Sequence, residues 1–174
     1  VPPGCSITSG SIVSYFEKTK TISELRGINI AMISQDPMQA LNPLQSINTQ
    51  FNMILERRFQ FDKKKLKKHI LNWIEKTHLH EIPNVLDRYP HQLSGGQMQR
   101  VMIAMAMSID PDFIVADEIT TGLDAAIKME ILNLLISFQK ESHFSDLLIS
   151  HDIKSVQKYC DRVVLLKSGK TKDN

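Results

Sequence analysis

Apolar residues along this chain recur with two different spacings. Residues 28–33 read Ile-Asn-Ile-Ala-Met-Ile, a short apolar run bounded by Gly27 and by the polar stretch Ser34-Gln35-Asp36-Pro37, which predicts a buried strand. Residues 113–116 (Phe-Ile-Val-Ala) and 147–149 (Leu-Leu-Ile) repeat the pattern, and a further strand over 163–166 stops at Ser168-Gly169. Between them, 94–109 and 125–141 have helical character. Strand and helix therefore alternate as in a parallel α/β sheet. The stretch 63–79 stands outside the alternation: Leu66, Ile70, Trp73 and Ile74 fall at i, i+4, i+7 and i+8, the spacing of an amphipathic helix. With 48–60 it predicts a helical lobe. The chain then divides into core portions at 1–47 and 91–174 and a helical subdomain at 48–90. Met98, Met102, Met105 and Met107 share one helix and are expected in its packed face.

Composition narrows the class. At 174 residues with 42% hydrophobic content the chain can bury one core, which excludes a disordered or fibrous protein. Its 21 basic and 19 acidic residues leave a net charge of +2, too balanced to argue for nucleic acid or an anionic surface by bulk charge. Lys63, Lys64, Lys65, Lys67 and Lys68 read as the solvated face of the amphipathic helix. Cys5 and Cys160 are the only cysteines and sit in no metal-binding or disulfide-framework spacing, so a reducing, cytosolic compartment is expected. His78 and His80 have no carboxylate or cysteine at metal spacing and are expected at the surface. No apolar run approaches the roughly 20 residues needed to cross a bilayer, so a membrane role is expected only through a partner. The chain starts at Val1 rather than methionine, and further residues upstream are expected.

Each of the three predicted core strands ends in a side chain of chemical use: Gln35, the pair Asp117-Glu118, and His151. Parallel strands would bring them to one edge, where open α/β sheets bind ligands. Two adjacent carboxylates there suit a Mg2+-nucleotide site, although a carboxylate pair also simply ends many strands. Leu93-Ser94-Gly95-Gly96-Gln97 directly precedes a helix. Ser94 suits an N-cap, and the two glycines leave backbone N–H groups open to an anion, although an ordinary loop and cap would look the same.

Taken together these residues resemble the ATP-binding cassette ATPases. Residues 93–97 are similar to the family's signature motif, 113–118 to its Walker B strand, Thr121-Gly122-Leu123-Asp124 to its D-loop, Gln35 to its Q-loop glutamine and His151 to its switch histidine, all in the family's order. The stretches 35–43 and 88–93 are similar to the oligopeptide, dipeptide and nickel importer ATPases. The resemblance implies a P-loop NTPase-like core with an inserted helical subdomain, and ATP and Mg2+ as cofactors. It also implies roles for single residues. Glu118 would orient or deprotonate the attacking water, with His151 and Gln35 beside the reacting phosphate, and Asp117 and Gln35 would hold Mg2+. Ser94, Gly95, Gly96 and Gln97 would meet the nucleotide of a second subunit, with Asp124 crossing the seam. The implied partners are a second ATPase subunit, transmembrane permease subunits and, indirectly, a substrate-binding protein, with no nucleic acid. The implied place is the cytoplasmic face of the membrane.

The departures carry expectations of their own. The pattern G-x-x-x-x-G-K-[ST] is absent; its nearest approach, residues 4–10, has no lysine. The resemblance implies that this loop lies upstream of Val1 and that the chain is shortened at both ends, so that alone it would bind ATP weakly or not at all. Ile119 stands where proline is usual and Gly122 where alanine is usual. Two other readings stay open: a non-transport cassette ATPase, for which the spacing between Gln35 and Ser94 leaves room only for a small lobe, and an inactive remnant that engages partners.

Overall fold

The computed structural model describes residues 27–142 and 144–173; Cys5 and the stretch 4–10 lie outside the described residues. Three parallel strands in the order β1-β2-β3 form the main sheet: β1 (Ile30–Ile33), β2 (Phe113–Asp117) and β3 (Ser145–Ile149). Register pairs Ile33 with Ala116 and Asp117 with Ile149, so the carboxyl ends of all three strands lie at one edge. The parallel α/β architecture expected from the strand–helix alternation is the one found.

Between β1 and β2 the chain forms α1 (Pro37–Ala40), α2 (Ile47–Arg58) and α3 (Lys63–Lys76), three single 3₁₀ turns, and α4 (Gly95–Ser108). The helix expected over 63–79 ends earlier because Thr77 turns its hydroxyl back to the Trp73 carbonyl and His78 takes a left-handed conformation. Its buried stripe is Ile70, Trp73 and Ile74, while the five lysines stand exposed. His78 and His80 are exposed as well.

Helix α4 is the hub. Met98, Gln99, Val101, Met102, Ile103, Ala104, Met105 and Met107 are all buried, as expected of a helix enclosed all round. Side chains of the neighbouring helices close its carboxyl end: Arg58 donates to the Ile109 carbonyl at 3.1 Å and His69 bonds the Ser108 carbonyl at 2.8 Å. Buried residues of α2, α3, α4 and the sheet form a single apolar cluster.

After β2 come α5 (Ala125–Ser142), β3, α6 (Ile153–Tyr159), β4 (Val164–Lys167) and β5 (Lys170–Asp173). On one face of the sheet Ala31, Ile33, Ile114 and Ala116 are buried, and Leu132, Leu135 and Ile136 of α5 line a narrow cavity with Ile114, Ala116 and Leu148. The opposite face is more open, with Met32 54%, Leu147 49% and Ile149 43% exposed. The expectation of three buried strands therefore fails for β3. Among the described residues β3 pairs with β2 alone, Leu147 and Ile149 stand on the open face, and Ser145 and Asp146 are exposed as well. The strand expected over 163–166 is not an isolated stop but half of a hairpin. Ser168 and Gly169 both have positive φ, the backbone of a two-residue type I′ turn, and β4 pairs antiparallel with β5.

Candidate active site

The shared edge of the sheet assembles the cluster. Glu118 leaves β2 with φ +46°, a left-handed kink, while its N–H still donates to the Ile149 carbonyl at 2.9 Å. That bond carries the β2–β3 pairing one residue past the strand and holds Glu118 beside the loop after β3. Its carboxylate then accepts three side-chain donors. His151 Nδ1 lies 3.1 Å from Oε1, Gln35 Nε2 donates to Oε2 at 3.1 Å, and the Thr121 hydroxyl donates to Oε2 at 3.1 Å. The His151 bond, followed by the Thr121 bond, holds the Glu118 carboxyl below its ordinary value. His151 itself stands 72% exposed, so its other ring nitrogen faces outward from the cluster. Asp117 ends β2 in register with Ile149, which by strand alternation sets it on the open face of the sheet beside Val115.

The residues of the glycine-rich segment lie elsewhere. Ser94 caps α4 reciprocally with Gln97: its hydroxyl accepts from the Gln97 N–H at 3.3 Å, and its own N–H donates to Gln97 Oε1 at 3.0 Å. Gly95 and Gly96 form the first turn. A Cβ on Gly96 would stand 3.0 Å from Ile127 Cγ2, and one on Gly95 would stand 3.8 Å from Leu123 Cδ2. Gly96 is thus held to close packing on Ile127 at the start of α5, whereas a Cβ on Gly95 would make an ordinary contact. Asp124 starts α5, its Oδ1 accepting from the Ala126 and Ile127 N–H groups, both at 3.0 Å. Among the described residues no hydrogen bond of 94–97 or of Asp124 reaches Gln35, Glu118 or His151. The structure brings Gln35, Glu118 and His151 together in one place and 94–97 with the start of α5 in another.

Lys128 and Asp152 have no role in the sequence reading, and Thr121 enters it only as the first residue of the D-loop-like segment. Thr121 lies three residues after Glu118, within a turn closed by its N–H to the Glu118 carbonyl at 3.0 Å; an i to i+3 hydroxyl on a carboxylate was the available signal. Lys128 of α5 forms an ion pair with Asp152, the N-cap of α6 and the neighbour of His151. Nothing local in the sequence marks that pair, which spans 24 positions.

Similarity to known proteins identifies the family. The ABC transporter family model matches residues 4–121. The chain belongs to the ABC transporter family. It is 37% identical over 174 residues to the dipeptide transport ATP-binding protein DppD of Bacillus subtilis, covering 97% of this chain and 52% of that protein. It is 38% identical over 149 residues to the oligopeptide transport ATP-binding protein OppD of Lactococcus lactis, covering 86% of this chain and 44% of that protein. A third relative, the glutathione import ATP-binding protein GsiA of Pectobacterium atrosepticum, is 38% identical over 154 residues, 88% of this chain and 25% of that protein. The chain thus spans about half the length, or less, of these curated relatives. Among solved structures, cbiO1 of Clostridium perfringens, part of the ABC transporter complex cbiONQ, superposes with a TM-score of 0.71 at 31% identity, covering 82% of this chain and 55% of that one. A dimeric ATP-binding cassette in a post-hydrolysis state bound to ADP and Pi gives a TM-score of 0.74 at 26% identity, covering 90% of this chain and 68% of that one. The fold is the α/β, P-loop NTPase-like fold of these ATPases.

Proposed function

We propose that this chain belongs to an ATP-hydrolysing subunit that drives an importer, and that Glu118 is the residue that prepares water for attack on the γ-phosphate. The observation that carries the reading is the convergence of Gln35 and His151 on the Glu118 carboxylate at the carboxyl edge of a parallel sheet. A carboxylate held ionised there accepts a proton from water, and His151 and Gln35 present donors on either side of it. The oxygen donors Asp117 and Gln35 fit a hard cation such as Mg2+, which takes oxygen ligands and keeps waters and phosphate oxygens in its shell. Bound MgATP supplies the phosphoryl group and the charge that makes its transfer to water possible.

The separation of residues 94–97 from the Glu118 cluster supports a site completed by a second subunit. Ser94, Gly95, Gly96 and Gln97 of one copy face the nucleotide of the other through the N-terminus of α4, and Asp124 lies at the same seam. A permease subunit is the other partner, and a substrate-binding protein acts through it. The chain then sits peripherally on the permease, at the cytoplasmic face of the membrane. Met38, Leu44, Met53 and Tyr89 are exposed on the segment after Gln35 and on the helical region 48–90; this supports that side as the docking surface. The relatives named for dipeptide, oligopeptide and glutathione transport favour a short peptide over a nickel chelate as cargo.

The test is ATP hydrolysis by the full-length protein assembled with its membrane partners. Glu118→Gln and His151→Ala are each expected to lower kcat by at least about a hundredfold, the scale of a lost general base or electrostatic stabiliser. Wild-type turnover in Glu118→Gln overturns the assignment.

A further inference from the structure

His151 is the most exposed member of the cluster, and its ring is held on the protein side by Glu118. Its place therefore depends on the short connection between β3 and α6. That connection is fixed at Asp152. The Asp152 N–H donates to the Ser150 hydroxyl at 3.0 Å, bridging across His151, and its carboxylate accepts from the Ser155 N–H at 3.2 Å and the Ser155 hydroxyl at 2.9 Å. The third donor to this carboxylate comes from another element: Lys128 Nζ pairs with Oδ2. Lys128 lies one turn into α5, where its N–H donates to the Asp124 carbonyl at 2.9 Å. The Lys128 and Asp152 side chains are only 23% and 30% exposed, so the pair is partly sheltered from water.

We infer that Lys128 and Asp152 are positioning residues that tether the His151 loop to the start of α5, so that the imidazole is held at Glu118 only while the Asp124 turn is seated. This rests on the reading of Glu118 and His151 as hydrolytic residues. Contacts run without a break from Asp124 through Lys128 and Asp152 to His151 and Glu118. A single, partly sheltered ion pair contributes modestly to folding, but a displacement of about 1 Å in a reacting group lowers turnover by as much as about a hundredfold. The pair therefore acts on kcat more than on stability.

The experiment measures MgATP hydrolysis by the full-length protein in its assembled complex, at saturating MgATP, for Lys128→Met, Lys128→Arg, Asp152→Asn and the double variant Lys128→Met/Asp152→Asn. Asparagine remains a good N-cap, so Asp152→Asn keeps α6 while removing the charge. Both neutral single variants are expected to lose kcat about tenfold, with KM for MgATP within about twofold of wild type. Lys128→Arg is expected to recover most of the loss, and the double variant to be no worse than either single one, as for residues acting through one contact. Wild-type kcat in both neutral single variants, or losses that multiply in the double variant, overturns the tether. A loss that follows the fall in melting temperature and is not recovered by arginine does so as well. Glu118→Gln measured in parallel separates the two claims. If it is inactive while Lys128→Met and Asp152→Asn are unaffected, the tether alone fails; if it turns over normally, the hydrolytic reading fails.

Discussion

His151 Nδ1 and Glu118 Oε1 lie 3.1 Å apart although 33 positions separate the residues, because the β2–β3 register that pairs Asp117 with Ile149 delivers both to one edge of the sheet. The bond is the first cause of the lowered Glu118 carboxyl pKa, with Thr121 second. Replacing His151 by alanine is therefore expected to raise the Glu118 pKa toward the ordinary carboxylate value, and replacing Thr121 by valine to raise it by less. NMR titration of the side-chain carboxyl carbon checks both. An unchanged pKa in His151→Ala would show that the ring does not donate to Glu118 in solution.

Ser94 offers a way to separate capping from nucleotide recognition. Its hydroxyl is already used by the Gln97 N–H, so Ser94→Ala is expected to cost about 1 kcal/mol of stability in chemical denaturation. Ser94→Asp keeps a capping oxygen and is expected to fold with near wild-type stability. It also places a negative charge where the second subunit's triphosphate is proposed to sit. In full-length protein carrying Glu118→Gln, ATP is expected to drive dimerisation, and adding Ser94→Asp is expected to abolish it, as read by light scattering. ATP-driven dimers of the Ser94→Asp protein would confine Ser94 to capping.

Gly96 packs so closely on Ile127 that a methyl group there would stand 3.0 Å from Ile127 Cγ2. Alanine normally favours a helix over glycine by about 1 kcal/mol, yet here Gly96→Ala is expected to destabilise by a comparable amount. Trimming the neighbour with Ile127→Ala costs stability by itself, but it is expected to make Gly96→Ala neutral or favourable. A double-mutant cycle measured by denaturant unfolding should give a coupling of about 1 kcal/mol. Strict additivity would mean that the contact is relaxed in solution.

What could be read beforehand follows from where the information is local. Apolar runs ending in Gln35, Asp117-Glu118 and His151 announced parallel strands with polar tips, since a buried strand leaves only its end free to carry chemistry. The N-cap at Ser94 was legible for the same reason, and the Gln97 side chain that completes the capping box lies within the same turn. The partnership of Lys128 with Asp152 was not, because it joins two helices whose approach depends on how α5 crosses the sheet. The openness of β3 was hidden as well, since Leu147, Leu148 and Ile149 look alike in sequence and only the placing of neighbours distinguishes a covered face from an uncovered one. The β4–β5 hairpin lay in plain view as Ser168-Gly169, but with only polar residues and lysines following, the second strand carried no apolar period to reveal it.

The Lys128–Asp152 pair also predicts how stability depends on pH. The Lys128 bond, then the two Ser155 bonds, hold the Asp152 carboxyl well below the usual carboxylate range. A carboxyl whose pKa is lower in the folded than in the unfolded chain binds fewer protons when folded. Its contribution is therefore fully present above the unfolded-state value, near 4, and is lost as pH falls from there toward the folded-state value. Lys128→Met removes the largest part of the shift and is expected to lower the urea midpoint at neutral pH. The difference between wild type and Lys128→Met should narrow as the medium is acidified below about pH 4, with a similar narrowing for Asp152→Asn. Denaturation curves for the three proteins between neutral and acidic pH check this, and a difference that stays constant or widens on acidification would show that the pair is not formed in the folded protein.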